Sequence, residues 1–245
     1  MSVAGDEPWM DPQARERLYH FLAAAFLRPL TPEALHQLTN PEVLNELAQM
    51  FGEEAIAALR DHAATSPGEA AAQSLQQEFM DLFAVPGGRY VTPFEDVYRG
   101  ASPERKLGPL LGEHAVAVRR LYRAAGGEVE AHCKELPTHI GVELAFMSFL
   151  CAEEVAARMD IGGPFPGDDG AGATARGDRC RALQLRFLRE HLNAWFPQLN
   201  CAIRERAASG MYRGLSELTQ AVLERDATCR MSEPPVWGGA TAAMH

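Results

Sequence analysis

The chain has 245 residues, of which 47% are hydrophobic and 23% are charged, a composition typical of a globular protein with a substantial core. Its 33 acidic and 23 basic residues give a formal net charge of −10, which argues against a nucleic-acid-binding protein and permits a basic partner such as an arginine-rich peptide. No apolar run approaches the about 18–20 residues of a membrane span, and the acidic N-terminus lacks the apolar core of a secretory signal, so we expect a cytoplasmic protein without a membrane span.

The first third of the chain predicts a series of amphipathic helices. Residues 8–26 place apolar side chains at helical spacing. The stretch "TPEALHQL" starts a second helix, with Thr31 as its N-cap and a proline in its first turn. Three shorter helices are predicted near residues 41–51, 53–63 and 70–84.

The last of these helices runs into an unusual segment, "LFAVPGGRYVTPFEDVYRG", at residues 82–100. Its Pro-Gly-Gly turn ends the helix, and the residue before its second proline is biased towards an extended conformation. Solvated linkers are usually poor in aromatic residues, yet this one holds four rings. Residues 85–101, here called the aromatic loop, therefore either pack onto the helices, with Glu95 and Asp96 capping helix ends, or line a groove for a peptide.

The second half of the chain also predicts helices and no strands. They are expected at residues 102–126, 138–155, 179–196 and 211–224. The helix that Thr138 opens is apolar nearly all round, which indicates a central position. Residues 160–178 have the glycine- and proline-rich composition of a surface loop.

These patterns predict an all-α fold of about nine helices, compact but divided into two lobes. The N-terminal lobe covers residues 1–130 and carries the aromatic loop. A hinge at residues 131–139 leads to a C-terminal lobe at residues 140–227, and residues 228–245 form a tail.

One alternative function is a metal-dependent helical enzyme. Glu135, His139 and Glu143 are spaced so that they could share a helix face, but metal–carboxylate bundles use two Glu-x-x-His helices, and no second ligand helix is evident. The five cysteines form no CxxC pair, and the chain has no nucleophile elbow and no phosphate-binding lysine loop. Other catalytic sites and a classical nucleotide site are therefore disfavoured.

The charge pattern near the same residues indicates a peptide-binding surface as readily as a solvated face. Residues 128–154 hold six glutamates and one lysine beside the most apolar helix. Such a surface suits a peptide that is first basic and then apolar, because carboxylates form strong charge-assisted hydrogen bonds with arginine.

Three segments resemble the signatures of the TorD/DmsD/NarJ family of redox-enzyme maturation chaperones. They occur in the family's order and are "QEFMDLFAVPGGRYVTPFEDVYRG" at residues 77–100, "ELPTHIGVELAFMSFL" at residues 135–150 and "FLREHLNAWFPQLNCAI" at residues 187–203. One departure stands out, because the family's aspartate before the histidine is Thr138 here. Thr138 can cap a helix but cannot supply a charge for arginine.

The resemblance implies a cytoplasmic chaperone and not an enzyme. Such a protein binds the twin-arginine leader, or a remnant N-terminus, of a molybdenum-cofactor oxidoreductase subunit, aids cofactor insertion and delays export until maturation is complete. Some members of the family are associated with weak GTP binding and with domain-swapped dimers. The resemblance therefore implies no cofactor other than weakly bound GTP, and either a monomer or a domain-swapped dimer. A permanent assembly subunit of a redox complex is a further alternative.

The predicted peptide-binding residues come from the first two signatures. They are Tyr90, Phe94, Glu95, Asp96, Tyr98, Glu135, Thr138, His139 and Glu143. We also expect His139 to add pH sensitivity near neutrality, where histidine ordinarily titrates.

Overall fold

The computed structural model describes residues 11–65, 69–102, 107–127, 134–159 and 172–232. Within them lie eleven α-helices and no β-strand, which confirms the all-α prediction. The helices are α1 (Pro12–Leu27), α2 (Pro32–Leu38), α3 (Pro41–Phe51), α4 (Ala57–Thr65), α5 (Glu69–Phe79), α6 (Glu95–Arg99), α7 (Glu113–Ala124), α8 (Ile140–Arg158), α9 (Ala173–Phe187), α10 (Asn193–Arg206) and α11 (Gly210–Ser232). A π turn at Met80–Ala84 prolongs α5, and another at Leu188–Leu192 joins α9 to α10.

The first three helices begin with the same local arrangement, an N-cap side chain followed by proline. The carboxylate of Asp11 accepts a hydrogen bond from the amide of Gln13 at 3.1 Å. The Thr31 hydroxyl accepts one from the amide of Ala34 at 3.2 Å, as its sequence predicts. The Asn40 side chain caps α3 in the same way. Proline fits after each cap because the first helical amide has no partner within the helix.

Helix α8 lies at the centre of the molecule, packed along α1 on one side and α9 on the other. Its close approach to α1 depends on Gly141, where an added Cβ would lie 2.5 Å from Cγ of Leu27. The buried apolar side chains from Tyr19 to Leu223 form one continuous core. Both predicted lobes contribute to this core, and their division at a hinge stays a prediction.

A cluster of rings fixes the helix that leads into the aromatic loop. Phe83, on the π turn after α5, packs edge-on against Phe26 of α1 and against Tyr212 of α11, with centroid separations of 5.7 and 5.9 Å. The loop then turns back, and the amide of Val91 donates to the carbonyl of Leu82 at 2.7 Å. Residues 84–89 at the tip of the turn are exposed, whereas Val91 is fully buried.

Several helix boundaries differ from those predicted. Helix α9 begins at Ala173, so the last residues of the predicted surface loop are helical. Helix α7 begins at Glu113, not near residue 102, because residues 107–112 fold as a glycine-containing loop against α6. Helix α10 continues through Pro197, which lies just after the π turn has already interrupted the regular hydrogen bonding. Helix α11 extends into the predicted tail as far as Ser232.

Some of the predicted segments lie outside the described residues. These are residues 131–133 of the hinge, residues 160–171 of the surface loop and residues 233–245 of the tail. No helix in the described part of the chain has the length and apolarity to cross a membrane.

Candidate peptide-binding site

The first two signature segments meet in the folded protein. The backbones of Phe94 and His139 pair as an isolated antiparallel bridge. On one side the amide of Glu95 donates to the carbonyl of Thr138 at 3.0 Å. On the other, the amide of Ile140 donates to the carbonyl of the proline before Phe94 at 2.9 Å. The aromatic loop is thus held against the first turn of the central helix.

His139, not Thr138, is the N-cap of α8. Its Nδ1 accepts a hydrogen bond from the amide of Gly141 at 3.0 Å, which places the ring proton on Nε2. The ring packs edge-on against Phe94 at 5.3 Å. Burial lowers the pKa of His139 to about 3, so this side chain is neutral at and well below neutral pH. The prediction that it titrates near neutrality is wrong.

Asp96 joins three parts of the site through its carboxylate. Oδ1 accepts hydrogen bonds from the amides of His114 and Ala115 at 3.1 and 3.3 Å, which caps the start of α7. Oδ2 accepts the hydroxyl of Thr138 at 3.3 Å. The N-cap position of α7 is Gly112, where a Cβ would lie 2.8 Å from Oδ1. A larger residue there would have to displace the Asp96 carboxylate that caps α7.

Glu95 is fully buried and forms the centre of a second polar group. Nδ1 of His191 lies 2.9 Å from one carboxylate oxygen, and Nη1 of Arg99 donates to the other at 2.5 Å. The same Arg99 nitrogen donates to the carbonyl of Glu190 at 2.6 Å. Burial opposes ionisation of Glu95, but the hydrogen bond and charge of His191, together with those of Arg99, outweigh it and hold the pKa below its ordinary value.

Glu143 lies next to Glu95 and is also fully buried. Its Oε2 accepts the indole N–H of Trp195 at 2.9 Å, whereas its Oε1 accepts no hydrogen bond. Burial raises the pKa of Glu143 well above its ordinary value, and the adjacent Glu95 charge raises it further. The raised pKa of Glu143 favours its protonated form, which can donate to the Glu95 carboxylate, so the two acids titrate as a pair. We call Glu95, Arg99, Glu143, His191 and Trp195 the Glu95 cluster.

The outer part of the site is aromatic and apolar. Tyr90, Phe94 and Tyr98 are each partly exposed, and Tyr98 packs against Trp195 with a centroid distance of 5.6 Å. Burial raises the pKa of Tyr98 to about 12, so its hydroxyl stays neutral. Beyond α6, the amide of Gly108 donates to the carbonyl of Val97 at 2.8 Å and fixes the following loop. This loop presents three exposed side chains, Leu107, Leu110 and Leu111.

The structure therefore brings most of the predicted residues together but buries the acids among them. Glu135 is the exception, because its side chain is 41% exposed and lies 4.0 Å from Nε2 of His139. The metal alternative receives no support, since the nitrogens of His139 face Gly141 and Glu135 while Glu143 faces Trp195. Within the described residues, no group of three potential metal ligands is found.

Sequence reasoning did not single out Arg99, and it gave no role to His191 or Trp195 beyond the third signature. Arg99 carried a usable signal, because it stands four residues after Glu95 on one helical turn, the spacing of an ion pair. The roles of His191 and Trp195 depend on contacts 96 and 52 residues apart in the chain, which no local pattern reveals.

Comparison with known proteins finds a family and several relatives whose similarity covers the part of the chain that forms this site. The profile of the family described as nitrate reductase delta subunit matches residues 44–200. Chaperone protein TorD of Shewanella loihica is 23% identical over 218 residues, covering 87% of this chain and 92% of that protein. Chaperone protein TorD of Salmonella schwarzengrund is 25% identical over 214 residues, 85% of this chain and 88% of that protein. The chlorate reductase assembly chaperone protein of Ideonella dechloratans is 30% identical over 126 residues, 51% of this chain and 55% of that protein.

Proposed function

Because this chain belongs to the nitrate reductase delta subunit family, whose relatives compared above are chaperones and not enzymes, we propose that it is a maturation chaperone for a molybdenum-cofactor oxidoreductase. The family match covers the first two signature segments and most of the third, and it confirms the family that the sequence resemblance predicts. The chain is accordingly a chaperone, not a catalyst.

The proposed ligand is the twin-arginine leader, or a remnant N-terminus, of the client's catalytic subunit. The chaperone would hold this segment in the cytoplasm while the cofactor is inserted and release it for export afterwards. The observation that carries the proposal is the joining of the two signature segments through Phe94 and His139, with the buried acids Glu95 and Glu143, one from each segment, next to each other. Weak GTP binding and the oligomeric state stay predictions from the family resemblance.

The chemistry of the site fits a basic-then-apolar peptide. A guanidinium group binds best where a carboxylate is shielded from water and accepts more than one N–H, and the buried acids offer such acceptors. The following apolar residues of a leader need exposed hydrophobic surface, which the rings of the aromatic loop and the leucines of residues 107–111 supply. The net charge of −10 also favours encounter with a basic peptide.

Calorimetric titration with a synthetic leader tests the proposal. The leader should come from a molybdoenzyme encoded beside this protein, with a twin-lysine version as the control peptide. We expect a dissociation constant of about 1 μM or below for the twin-arginine peptide, and clearly weaker binding of the control. Equal affinity for both peptides, or binding to neither, would overturn the assignment of a twin-arginine leader as ligand.

Glu95→Gln is the variant that locates the binding site. It keeps the shape of the side chain but removes its charge, so we expect the preference for arginine over lysine to fall while the protein stays folded. Glu53→Gln is the matched control, because Glu53 also pairs with an arginine, Arg60, but on an exposed surface of the molecule. Glu95→Arg is unsuitable, since it would bury a second guanidinium beside Arg99.

A further inference from the structure

Arg99 lies at the edge of the Glu95 cluster. Its guanidinium contacts the fully buried carboxylate of Glu95, yet its own side chain is 28% exposed. It therefore stands at the boundary between the buried acids and solvent. The charge that holds it is of the kind required by a peptide arginine.

We propose that Glu95, Glu143 and the backbone carbonyl of Glu190 form a guanidinium-binding site, and that Arg99 fills it until an arginine of the peptide displaces it. This inference rests on the proposed function, because it assigns that peptide's arginine to a particular site. Arg99 is then an internal competitor, and it sets the affinity for the leader.

The resident arginine uses the site incompletely. Within the described part of the chain, both of its hydrogen bonds come from one nitrogen, Nη1, which is shared between Glu95 and the carbonyl of Glu190. A guanidinium has five N–H donors arranged as a fork, and two parallel hydrogen bonds to carboxylates are stronger than one.

A second acid stands beside the first. Oε1 of Glu143 is buried and accepts no hydrogen bond, and burial beside the Glu95 carboxylate raises the pKa of Glu143. A second guanidinium group lowers that pKa, so an arginine that inserts its fork end-on engages both carboxylates once the proton of Glu143 has passed to solvent. Arg99 does not do so in the folded chain, although it lies only four residues from Glu95.

Displacement of Arg99 leaves Glu95 with a partner. His191 still contacts both carboxylate oxygens, at 2.9 and 3.1 Å. The anchoring of the aromatic loop to α8 also survives, because it uses the backbones of Phe94 and His139 and not the Arg99 side chain. Since Arg99 is the last residue of the short helix α6, its side chain can move outward without unwinding a longer helix.

Leader affinity of Arg99→Gln tests the inference. We expect the twin-arginine peptide to bind Arg99→Gln about three- to tenfold more tightly than it binds the natural protein, because the internal competitor is absent. The preference for this peptide over the twin-lysine peptide should be retained. Arg186→Gln is the matched control, because Arg186 forms an exposed pair with the side chain of Glu190, at 2.8 Å. This control should leave the affinity unchanged.

Unchanged or weaker leader binding by Arg99→Gln, when the natural protein does distinguish the two peptides, would overturn the inference and leave the proposed function standing. Arg99→Lys gives a second comparison if the glutamine variant folds poorly. Lysine keeps the charge but lacks the fork, so we expect its leader affinity to lie above that of the natural protein.

A small probe separates failure of the inference from failure of the proposed function. Arginine amide should raise the melting temperature of Arg99→Gln in a saturable way, and should do so less for the natural protein and for Arg99→Gln/Glu95→Gln. If no variant binds the leader, the proposed function fails, and the probe still decides the guanidinium site. Saturable stabilisation of Arg99→Gln alone supports that site, whereas equal response of all three proteins refutes it.

Discussion

Two groups of buried charges hold this protein together, and they are built in opposite ways. In the first, a cation lies inside and acids surround it. We call this group, formed by Arg15, Tyr19, Glu154, Gln184 and Asp226, the Arg15 network. In the second, the Glu95 cluster, two acids lie inside and a cation reaches them from the edge.

The Arg15 network connects four helices. Nη2 of Arg15, on α1, donates to the side chains of Gln184 on α9 and Asp226 on α11, at 2.6 and 2.7 Å. The Tyr19 hydroxyl donates to the same Asp226 oxygen at 2.7 Å. Glu154 of α8 lies 3.7 Å from the Arg15 guanidinium. Arg15 and Glu154 are nearly excluded from solvent, so this network is a fixed cross-link.

The Glu95 cluster contains two fully buried carboxyl groups, those of Glu95 and Glu143, and one arginine, Arg99. Burial and the adjacent Glu95 charge raise the pKa of Glu143, and the partnering cation Arg99 remains partly exposed. Partly exposed arginines, Arg158 and Arg181, also reach the buried Glu154 of the Arg15 network. The feature that separates the Glu95 cluster is its second buried acid, Glu143, whose pKa is raised. We therefore expect the first group to contribute mainly to stability and, under the proposed function, the second to recognise the peptide.

Asp226→Ala should produce the largest loss of stability. It removes the acceptor of both Arg15 and Tyr19 and leaves a buried guanidinium without its closest carboxylate. We expect the free energy of unfolding to fall by about 3–5 kcal/mol, measured by urea denaturation. Leader affinity of the folded protein should be unchanged, because the network is separate from the Glu95 cluster.

The double variant Arg15→Met/Asp226→Leu is the control for that prediction. Removing the cation together with its acceptor leaves no unpaired charge, so much of the lost stability should return. A loss below about 1 kcal/mol in Asp226→Ala would contradict the view that this network is a rigid cross-link.

Asp96→Ala tests where the Glu95 cluster ends. Although Asp96 follows Glu95 directly, its oxygens bind two amides of α7 and the hydroxyl of Thr138, not a cation. We expect a loss of about 1–2 kcal/mol in the free energy of unfolding, as for other helix caps. Asp96→Asn should lose less because it keeps one acceptor oxygen.

The same two variants show whether Asp96 contacts the peptide, as the sequence predicts. If it is only a cap, leader affinity measured by calorimetry should change less than stability does. An affinity that falls in Asp96→Asn while the unfolding midpoint is kept would extend the recognition site to this residue.

The helices and their order could be predicted from sequence because their signals are local. Apolar spacing revealed α1 and α8, and Thr31 followed by proline marked the start of α2. The cap of α8 was assigned one residue too early, since threonine is the commoner cap and nothing local favours His139 over it.

The interior of the site could not be predicted in the same way. Glutamates in an acidic segment are ordinarily solvated, so Glu95 and Glu143 gave no sign of being fully buried. Their burial depends on His191 and Trp195, which the chain returns to the site only after α8 and α9. The family signatures brought the right segments together, but they did not distinguish Asp96, which caps a helix, from Glu95, which binds cations.

Glu143→Gln should have the smallest effect, and that effect should depend on pH. Glutamine has the shape of the protonated acid, and it can donate to Glu95 and accept from Trp195 as that acid does. At pH 5 we therefore expect the free energy of unfolding to change by less than about 1 kcal/mol.

The pH dependence follows from the folded pKa of Glu143, which is raised above its ordinary 4.5. Between the two pKa values the folded natural protein binds more protons than the unfolded chain, so its stability falls as pH rises. The glutamine variant lacks this loss and should become the more stable protein as the pH increases from 5 to 8. Urea denaturation at several pH values checks this, with Glu53→Gln as the exposed control. Parallel pH profiles of stability for Glu143→Gln and the natural protein would mean that Glu143 is ionised in the fold, as Glu95 is. The two buried acids of the Glu95 cluster would then both be charged, and the difference from the Arg15 network would not lie in a raised pKa of Glu143.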